Sequence, residues 1–386
     1  MSKPTGPDRS QSRSGRQAAA VRPRAPAGLS ARLPDFPWDR LAPAKALAAR
    51  HPDGLVDLSM GTPVDPVPPL VRAALAEASD APGYPLTAGT PHLRAAISDW
   101  VSRSCGVAGG FEVLPTIGSK ELVAWLPTLL GIGPGDVVVI PSVCYPTYEV
   151  GARLAGATVV RSDSLLAVGP ARVKLVWVNS PANPTGAVLP PEHLRKVVDW
   201  ARERGAVVAS DECYLPLPWE SSPVSILSVC EDDLSGVLSV HSLSKRSNLA
   251  GYRAGFVAGD PALVSELLAV RKHAGMIVPA PVQAAMIAAL HDESHAAEQR
   301  ERYGRRRALL RRALTAAGFT IEHSEAGLYL WCTRGEDGWA TVEWLAARGV
   351  LVAPGDFYGP AGSRYVRVAL TAPDERVGAA VARLAT

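Results

Sequence analysis

Little in this chain suits a membrane protein or a secreted scaffold. No stretch is apolar for long enough to cross a bilayer, and the start of the chain lacks the apolar core of a secretory leader, so a cytoplasmic protein is expected. Cysteine is sparse. Cys105, Cys144, Cys213, Cys230 and Cys332 are odd in number and scattered, with the spacing of neither a zinc site nor a disulfide framework, so no metal is expected and a reducing compartment fits. Net charge is nearly absent as well: Lys+Arg 40 against Asp+Glu 37 leaves +3, which gives no electrostatic reason for a nucleic-acid or membrane partner. The first 28 residues carry more than the whole of that excess, since Lys3, Arg9, Arg13, Arg16, Arg22 and Arg24 face one acid, Asp8. With almost no large apolar side chains, residues 1–28 cannot offset the entropy of ordering and are expected to form a mobile tail. The tail is too short for a DNA-reading helix-turn-helix. GIGPGD at 131–136 lacks both the dinucleotide fingerprint and the Lys-Ser ending of a phosphate loop, and reads as a turn.

What is present is enough apolar material for more than one core: 386 residues, 47% of them hydrophobic, predict two packed lobes. Short apolar runs at 136–141 (DVVVIP), 174–179 (KLVWVN), 206–211 (AVVASD) and 236–242 (GVLSVHS) alternate with helical patterns such as PEHLRKVVDWARERG from Pro191, which stops on Gly205. That is the signature of an α/β protein with a mostly parallel sheet covered on both faces. After a long basic helix, AGLYLWCTRG, TVEWLAARG, VLVAPG and YVRVAL predict a smaller α+β lobe. The expected division is an N-terminal arm at 29–48 that contributes to the small lobe, a large domain at 49–288 and a small domain at 289–386. The RRRALLRR run is expected to be a solvated helix face with Leu309, Leu310 and Leu314 at helical spacing.

Ligands of such sheets bind beyond the carboxyl ends of the strands, so the residues after each run are the informative ones. They are Asn183 in NSPANPTG, Asp211 and Tyr214 in SDECY, and Ser242, Ser244 and Lys245 in HSLSK, followed by Arg253; upstream, Gly118, Ser119 and Lys120 open a helix, where free N–H groups make an anion seat. Singly, each has a plain reading: an N-cap at Gly118-Ser119, strand-end turns at Asp211 and Asn183, a surface lysine at 245. Together, and in this order, they form an anion cradle, an acid, a phenol, an amide and an amine at one sheet edge.

SLSK with GYRAGF, DECY and NSPANPTG resemble the lysine, acid-tyrosine and asparagine motifs of the class I aminotransferases of fold type I, which depend on pyridoxal 5'-phosphate. The resemblance covers the chain after the tail. It implies that Lys245 binds the cofactor's aldehyde and moves the substrate's α-proton, and that Asp211 keeps the pyridine nitrogen protonated. Tyr214 and Asn183 would bond the phenolic oxygen and Tyr145 would stack on the ring. Arg253, Ser242, Ser244, Gly118, Ser119 and Lys120 fall in the phosphate-holding segments. On the substrate side it implies Arg367 as a bidentate carboxylate reader, with Gly61 closing over the same carboxylate and Asn183 beside it. Tyr84 corresponds to a tyrosine that reaches the neighbouring subunit's cofactor phosphate, so a homodimer with shared sites is implied; otherwise it is a buried turn residue.

LPDFPWDRLAPAKALAARHP, KELVAWLPTLLG and LVAPGDFYGPAG are most similar to bacterial succinyldiaminopimelate aminotransferases, which implies N-succinyl-LL-2,6-diaminopimelate as amino donor and 2-oxoglutarate as acceptor, in lysine and diaminopimelate biosynthesis. Arg271, Lys272 and His273 are then the expected readers of the distal carboxylate, or else plain helix surface. Another class I aminotransferase, with aspartate, acetylornithine or aromatic donors, and a carbon–sulfur β-lyase remain as alternatives.

Overall fold

The computed structural model describes residues 28–385, so most of the expected tail lies outside the described residues. All four apolar runs form strands, Val137–Ile140, Val173–Asn179, Val207–Asp211 and Val237–Ser242. They join Thr158–Arg161, Glu112–Ile117 and Ala254–Gly259 in a seven-stranded sheet. Across it the order is Glu112–Ile117, Ala254–Gly259, Val237–Ser242, Val207–Asp211, Val173–Asn179, Val137–Ile140, Thr158–Arg161. Only Ala254–Gly259 runs antiparallel to its neighbours. The carboxyl ends of the other strands therefore share one edge, and Arg253, placed just before the reversed strand, arrives at that same edge.

Strand parity explains the apolar runs. Leu175 and Trp177 enter one core together with Ala209, Leu238 and Val240, while Val176, Val178 and Val208 enter the core on the opposite face. A strand buried on both sides has no polar alternation to display, so it appears as a continuous run. The same parity carries Asn179, Asp211 and Ser242 to the face of Trp177, Ala209 and Val240.

A second, four-stranded antiparallel sheet orders Ala353–Pro354, Val366–Ala369, Tyr329–Thr333 and Thr320–Glu322. Its core takes in Leu41, Val56 and Leu58 from the start of the described chain together with Leu330, Val342, Val366 and Leu384 from its end. Val56–Asp57 pairs in parallel with Val350–Leu351, which stitches the first segment to the last. The long basic helix is Ser294–Ala316, separated by Asp292 and Glu293 from the preceding helix Ala280–His291. Its basic run is not wholly solvated. Leu310 and Leu314 are buried and Leu309 is exposed, as the helical period requires, but Arg306 is buried as well and pairs with Asp65 and Asp374.

Candidate active site

At the shared strand edge, between the two sheets, lies a cavity of about 690 Å³. Its wall includes Gly61, Ser119, Lys120, Tyr145, Asn183, Asp211, Tyr214, Ser242, Ser244, Lys245, Arg253 and Arg367. Residues spread over some 300 positions of sequence are thus brought to one lining.

Asp211 is fully enclosed. Its carboxylate accepts from Tyr148 Oη at 2.8 Å and from the Cys213 N–H at 3.2 Å. Burial raises its pKa above the ordinary carboxylate value, and the bonds from Cys213 and Tyr148 only partly oppose this. No cation of the protein pairs with it among the described residues. A buried acid of this kind is completed by a positively charged ligand atom.

Ser242 Oγ accepts the Ser244 N–H at 3.1 Å, which starts the turn Leu243–Arg246 and leaves the hydroxyl hydrogen free to point elsewhere. Lys245 Nζ, on that turn, donates to the Gly61 carbonyl. Although the residue is partly open to the cavity, protein surrounds the ammonium: burial, helped by the nearby Arg367 and Arg253 cations and opposed by Tyr329 and Cys213, lowers its pKa below the usual lysine range. Free amine is the form that attacks carbonyl carbon and takes protons.

Gly118 begins the helix Gly118–Leu129 with φ +71, and a Cβ there would lie 2.3 Å from an Arg253 guanidinium nitrogen. Glycine is thus required twice, for the left-handed backbone and for the close approach of Arg253. Arg253 itself has φ 56 and donates to Ala250 O at 2.7 Å. Helix-opening N–H groups, the Ser119 hydroxyl and one guanidinium make a seat for a dianion.

On the small-lobe side Arg367 is buried. It donates to Asn183 Oδ1 at 3.0 Å and to Ser59 O at 2.6 Å, and lies 4.0 Å from the centre of the Tyr329 ring; its Nε has no partner among the described residues. Tyr329 Oη bonds Tyr214 Oη at 3.0 Å. A Cβ on Gly61 would sit 2.1 Å from the Tyr329 hydroxyl, so the chain passes this point only as glycine.

The family model described as aminotransferase class I and II matches residues 53–384. The chain belongs to this family. As an aminotransferase of fold type I it uses pyridoxal phosphate, and aminotransferases of this fold act on amino and keto acids and are typically dimers. It is 64% identical, over 361 residues, to a probable aminotransferase of Mycobacterium tuberculosis, covering 92% of this chain and 86% of the relative. It is 59% identical to the 4-dedimethylamino-4-oxo-anhydrotetracycline transaminase of Streptomyces rimosus, covering 91% of this chain and 99% of that one. Among solved structures, a probable N-succinyldiaminopimelate aminotransferase from Thermus thermophilus superposes with a TM-score of 0.82 at 30% identity, covering 91% and 99% of the two chains. The cavity fits the family's cofactor on its own terms: an unpaired buried acid, an anion seat and an amine of lowered pKa line one space. No helix among the described residues is long and apolar enough to cross a membrane.

Two expectations change. Arg271 does not reach the cavity: fully buried, it forms a bidentate pair with Glu121 at 2.9 and 3.1 Å, while Lys272 and His273 are exposed on the helix Pro261–Ala274. None of the three lines the site. Tyr84 is not a buried turn residue, being 99% exposed, and it stands outside this chain's cavity. Lys120, placed with the phosphate segment, is exposed and lines the cavity.

Sequence reasoning missed Tyr148, Tyr329, Ser59 and the wall formed by Leu33, Phe36 and Trp38. Tyr148 had a legible signal, since it lies one helical turn beyond Tyr145 in PSVCYPTYEV. Tyr329 had none, because its strand belongs to the other lobe.

Proposed function

We propose that the protein transfers the amino group of N-succinyl-LL-2,6-diaminopimelate to 2-oxoglutarate, as a homodimer acting in diaminopimelate and lysine synthesis. The observation that carries the choice of donor is a further cation in the cavity wall, beyond Lys245, Arg253 and Arg367. Besides Arg367, Lys120 lines the space and has no hydrogen-bond or ion-pair partner among the described residues. A donor with carboxylates at both ends has a use for both groups; a monocarboxylic donor has no use for the second. The structural likeness to the Thermus protein agrees with this reading.

When bound, pyridoxal phosphate supplies a protonated ring that draws in the electrons left behind as the α-proton departs. The chain does the rest. Asp211 holds the proton on the ring nitrogen, with Tyr148 fixing the direction of its carboxylate. Tyr214 and Asn183 would bond the phenolic oxygen, Tyr145 would cover the ring, and Gly118, Ser119, Ser242, Ser244 and Arg253 would hold the phosphate. Lys245 Nζ would hold the cofactor through its aldehyde and, once the substrate amine has released it, would serve as the base that takes the α-proton and the acid that returns it. Arg367 and the Gly61 segment would fix the α-carboxylate and with it the direction of the α C–H bond. The fully exposed Tyr84 is offered to the partner's phosphate.

Arg367→Lys should keep cofactor bound and lower kcat/KM by roughly 10²–10³-fold, since a planar fork is replaced by a point charge at a buried ion contact. Steady-state kinetics on cofactor-loaded protein reads this; loss of cofactor instead would move Arg367 to the phosphate side. Lys120→Ala should cost about 10–100-fold in kcat/KM for the succinylated donor and little for alanine or phenylalanine, the size of one hydrogen bond to a charged group. Equal losses on all donors would remove Lys120 from donor choice.

A second reading rests on the Streptomyces relative, whose name carries a tetracycline precursor, together with the apolar Leu33, Phe36 and Trp38 wall of this cavity. It predicts amination of bulky polycyclic ketones. A panel of succinyldiaminopimelate, acetylornithine, aspartate and aromatic donors with 2-oxoglutarate, read as glutamate formed, separates the two. Preference for the succinylated donor supports the first, and comparable slow rates throughout favour the second. Pyruvate and ammonia formed without any keto-acid acceptor would indicate a β-lyase.

A further inference from the structure

Beneath the lysine turn runs the helix Ser294–Ala316, and one of its stripes is polar where a core-facing stripe is normally apolar. His295, Gln299, Tyr303 and Arg306 follow at helical spacing and all are buried. Each contacts something tied to Lys245 or to Gly61. His295 Nε2 meets Ser247 Oγ at 2.8 Å, Gln299 Oε1 accepts from Asn248 Nδ2 at 2.9 Å, and Tyr303 Oη donates to the Lys245 carbonyl at 3.4 Å. The helix thus grips three of the residues from 245 to 248. Asn248 itself has φ 57, a backbone conformation that needs such support.

The other side of the stripe grips the segment that closes the cavity. Asp65 lies four residues beyond Gly61. Its Oδ2 accepts from Gln299 Nε2 at 2.7 Å and from Arg306 at 2.8 Å, and its Oδ1 accepts from Arg306 at 2.6 Å. Asn248 Nδ2 also donates to Pro66 O at 3.2 Å. Arg306 Nε continues to Asp374 at 2.6 Å, at the start of the last helix of the small lobe. The front of the same segment is held by Arg367 on Ser59 O and by Thr371 on Met60 O at 2.8 Å. The Gln299 amide can serve only in one orientation here, with nitrogen to the Asp65 carboxylate and oxygen to the Asn248 amide. It is a relay between the two loops, beside the direct bonds that Asn248 Nδ2 and Lys245 Nζ make to the Pro66 and Gly61 carbonyls.

We propose that Gln299, with Asp65 and Arg306, is a positioning set that couples the 59–66 segment over the substrate carboxylate to the placement of the Lys245 turn. The inference rests on Lys245 being the cofactor-binding amine. A buried three-way contact of amide, carboxylate and guanidinium is all-or-none: losing one member leaves the others unpaired, so both loops loosen together. None of the three lines the cavity. The set fixes where Nζ stands when the 59–66 segment is in place.

The test is a swap. Asp65→Asn and Gln299→Glu each break the cluster, the first by removing its charge, the second by setting two carboxylates against each other. Together they restore one carboxylate and one amide across the contact between positions 65 and 299. Each single variant should lose about tenfold in kcat/KM per cofactor-loaded subunit, mostly in kcat, and the double should recover at least half of that loss. Backbone hydrogen exchange of holoenzyme should rise in both 59–66 and 245–249 for Gln299→Leu. Additive losses in the double, or faster exchange confined to the helix, would overturn the coupling. Borohydride fixation of wild-type holoenzyme with peptide mapping keeps two failures apart. Label elsewhere than Lys245 defeats the reading of the site, whereas label at Lys245 with additive variants defeats only the coupling.

Discussion

Lys245→Ala should lower transamination by about four orders of magnitude, because one side chain supplies both the covalent anchor and the group that moves the α-proton. The visible absorbance of the holoenzyme should vanish with it. Cofactor should still associate weakly, since the phosphate seat around Gly118 and Arg253 and the acid at Asp211 are untouched. Lys245→Arg should not rescue: guanidinium stays protonated and neither condenses with an aldehyde nor takes a proton. The lowered pKa of Lys245 sets the sense of the pH dependence. Burial makes the free amine available at lower pH than for an exposed lysine, so activity should survive below the ordinary lysine range. Retention of turnover and colour in Lys245→Ala would remove this residue from the mechanism.

Asp211→Asn should lower kcat by roughly three orders of magnitude while leaving fold and cofactor content nearly intact. Asparagine keeps an oxygen that can accept the Tyr148 hydroxyl, so the buried contact at 2.8 Å need not break. What it cannot do is hold a proton on the ring nitrogen. Asp211 sits in surroundings that disfavour its charge, and pairing with a cationic nitrogen reverses that penalty. Asp211→Glu keeps the charge at the cost of crowding and should be the milder change. Steady-state rates with absorbance and thermal unfolding separate the outcomes. A kcat within tenfold of wild type for Asp211→Asn would mean that ring protonation does not depend on this carboxylate.

Much of the site was legible because its members stand at strand ends. Asp211 and Ser242 close their strands and Asn183 follows the end of another, so parity and local turn chemistry place them without knowledge of the fold. Gly118 was legible as a helix start for the same local reason. Tyr148 was within reach, one turn beyond Tyr145. Tyr329 and Gln299 were not. A tyrosine in a small-lobe strand and a glutamine on a basic helix carry no local mark of the partners they meet, Tyr214 at a separation of 115 residues and Asp65 at 234.

The chain's own order of residues determines the strands, the turns that follow them and the chemical kind of group at each turn, since these depend on neighbours a few positions away. Tertiary structure alone decided which cations remain available. Arg271, Arg306 and Arg367 look alike in sequence, yet Arg271 is taken up by Glu121 and Arg306 by Asp65, while Arg367 faces the cavity. The acids that claim the first two lie 150 and 241 residues away. The physical reason is that an ion pair forms where folding brings opposite charges together out of water, and that proximity is a property of packed lobes rather than of any stretch of chain.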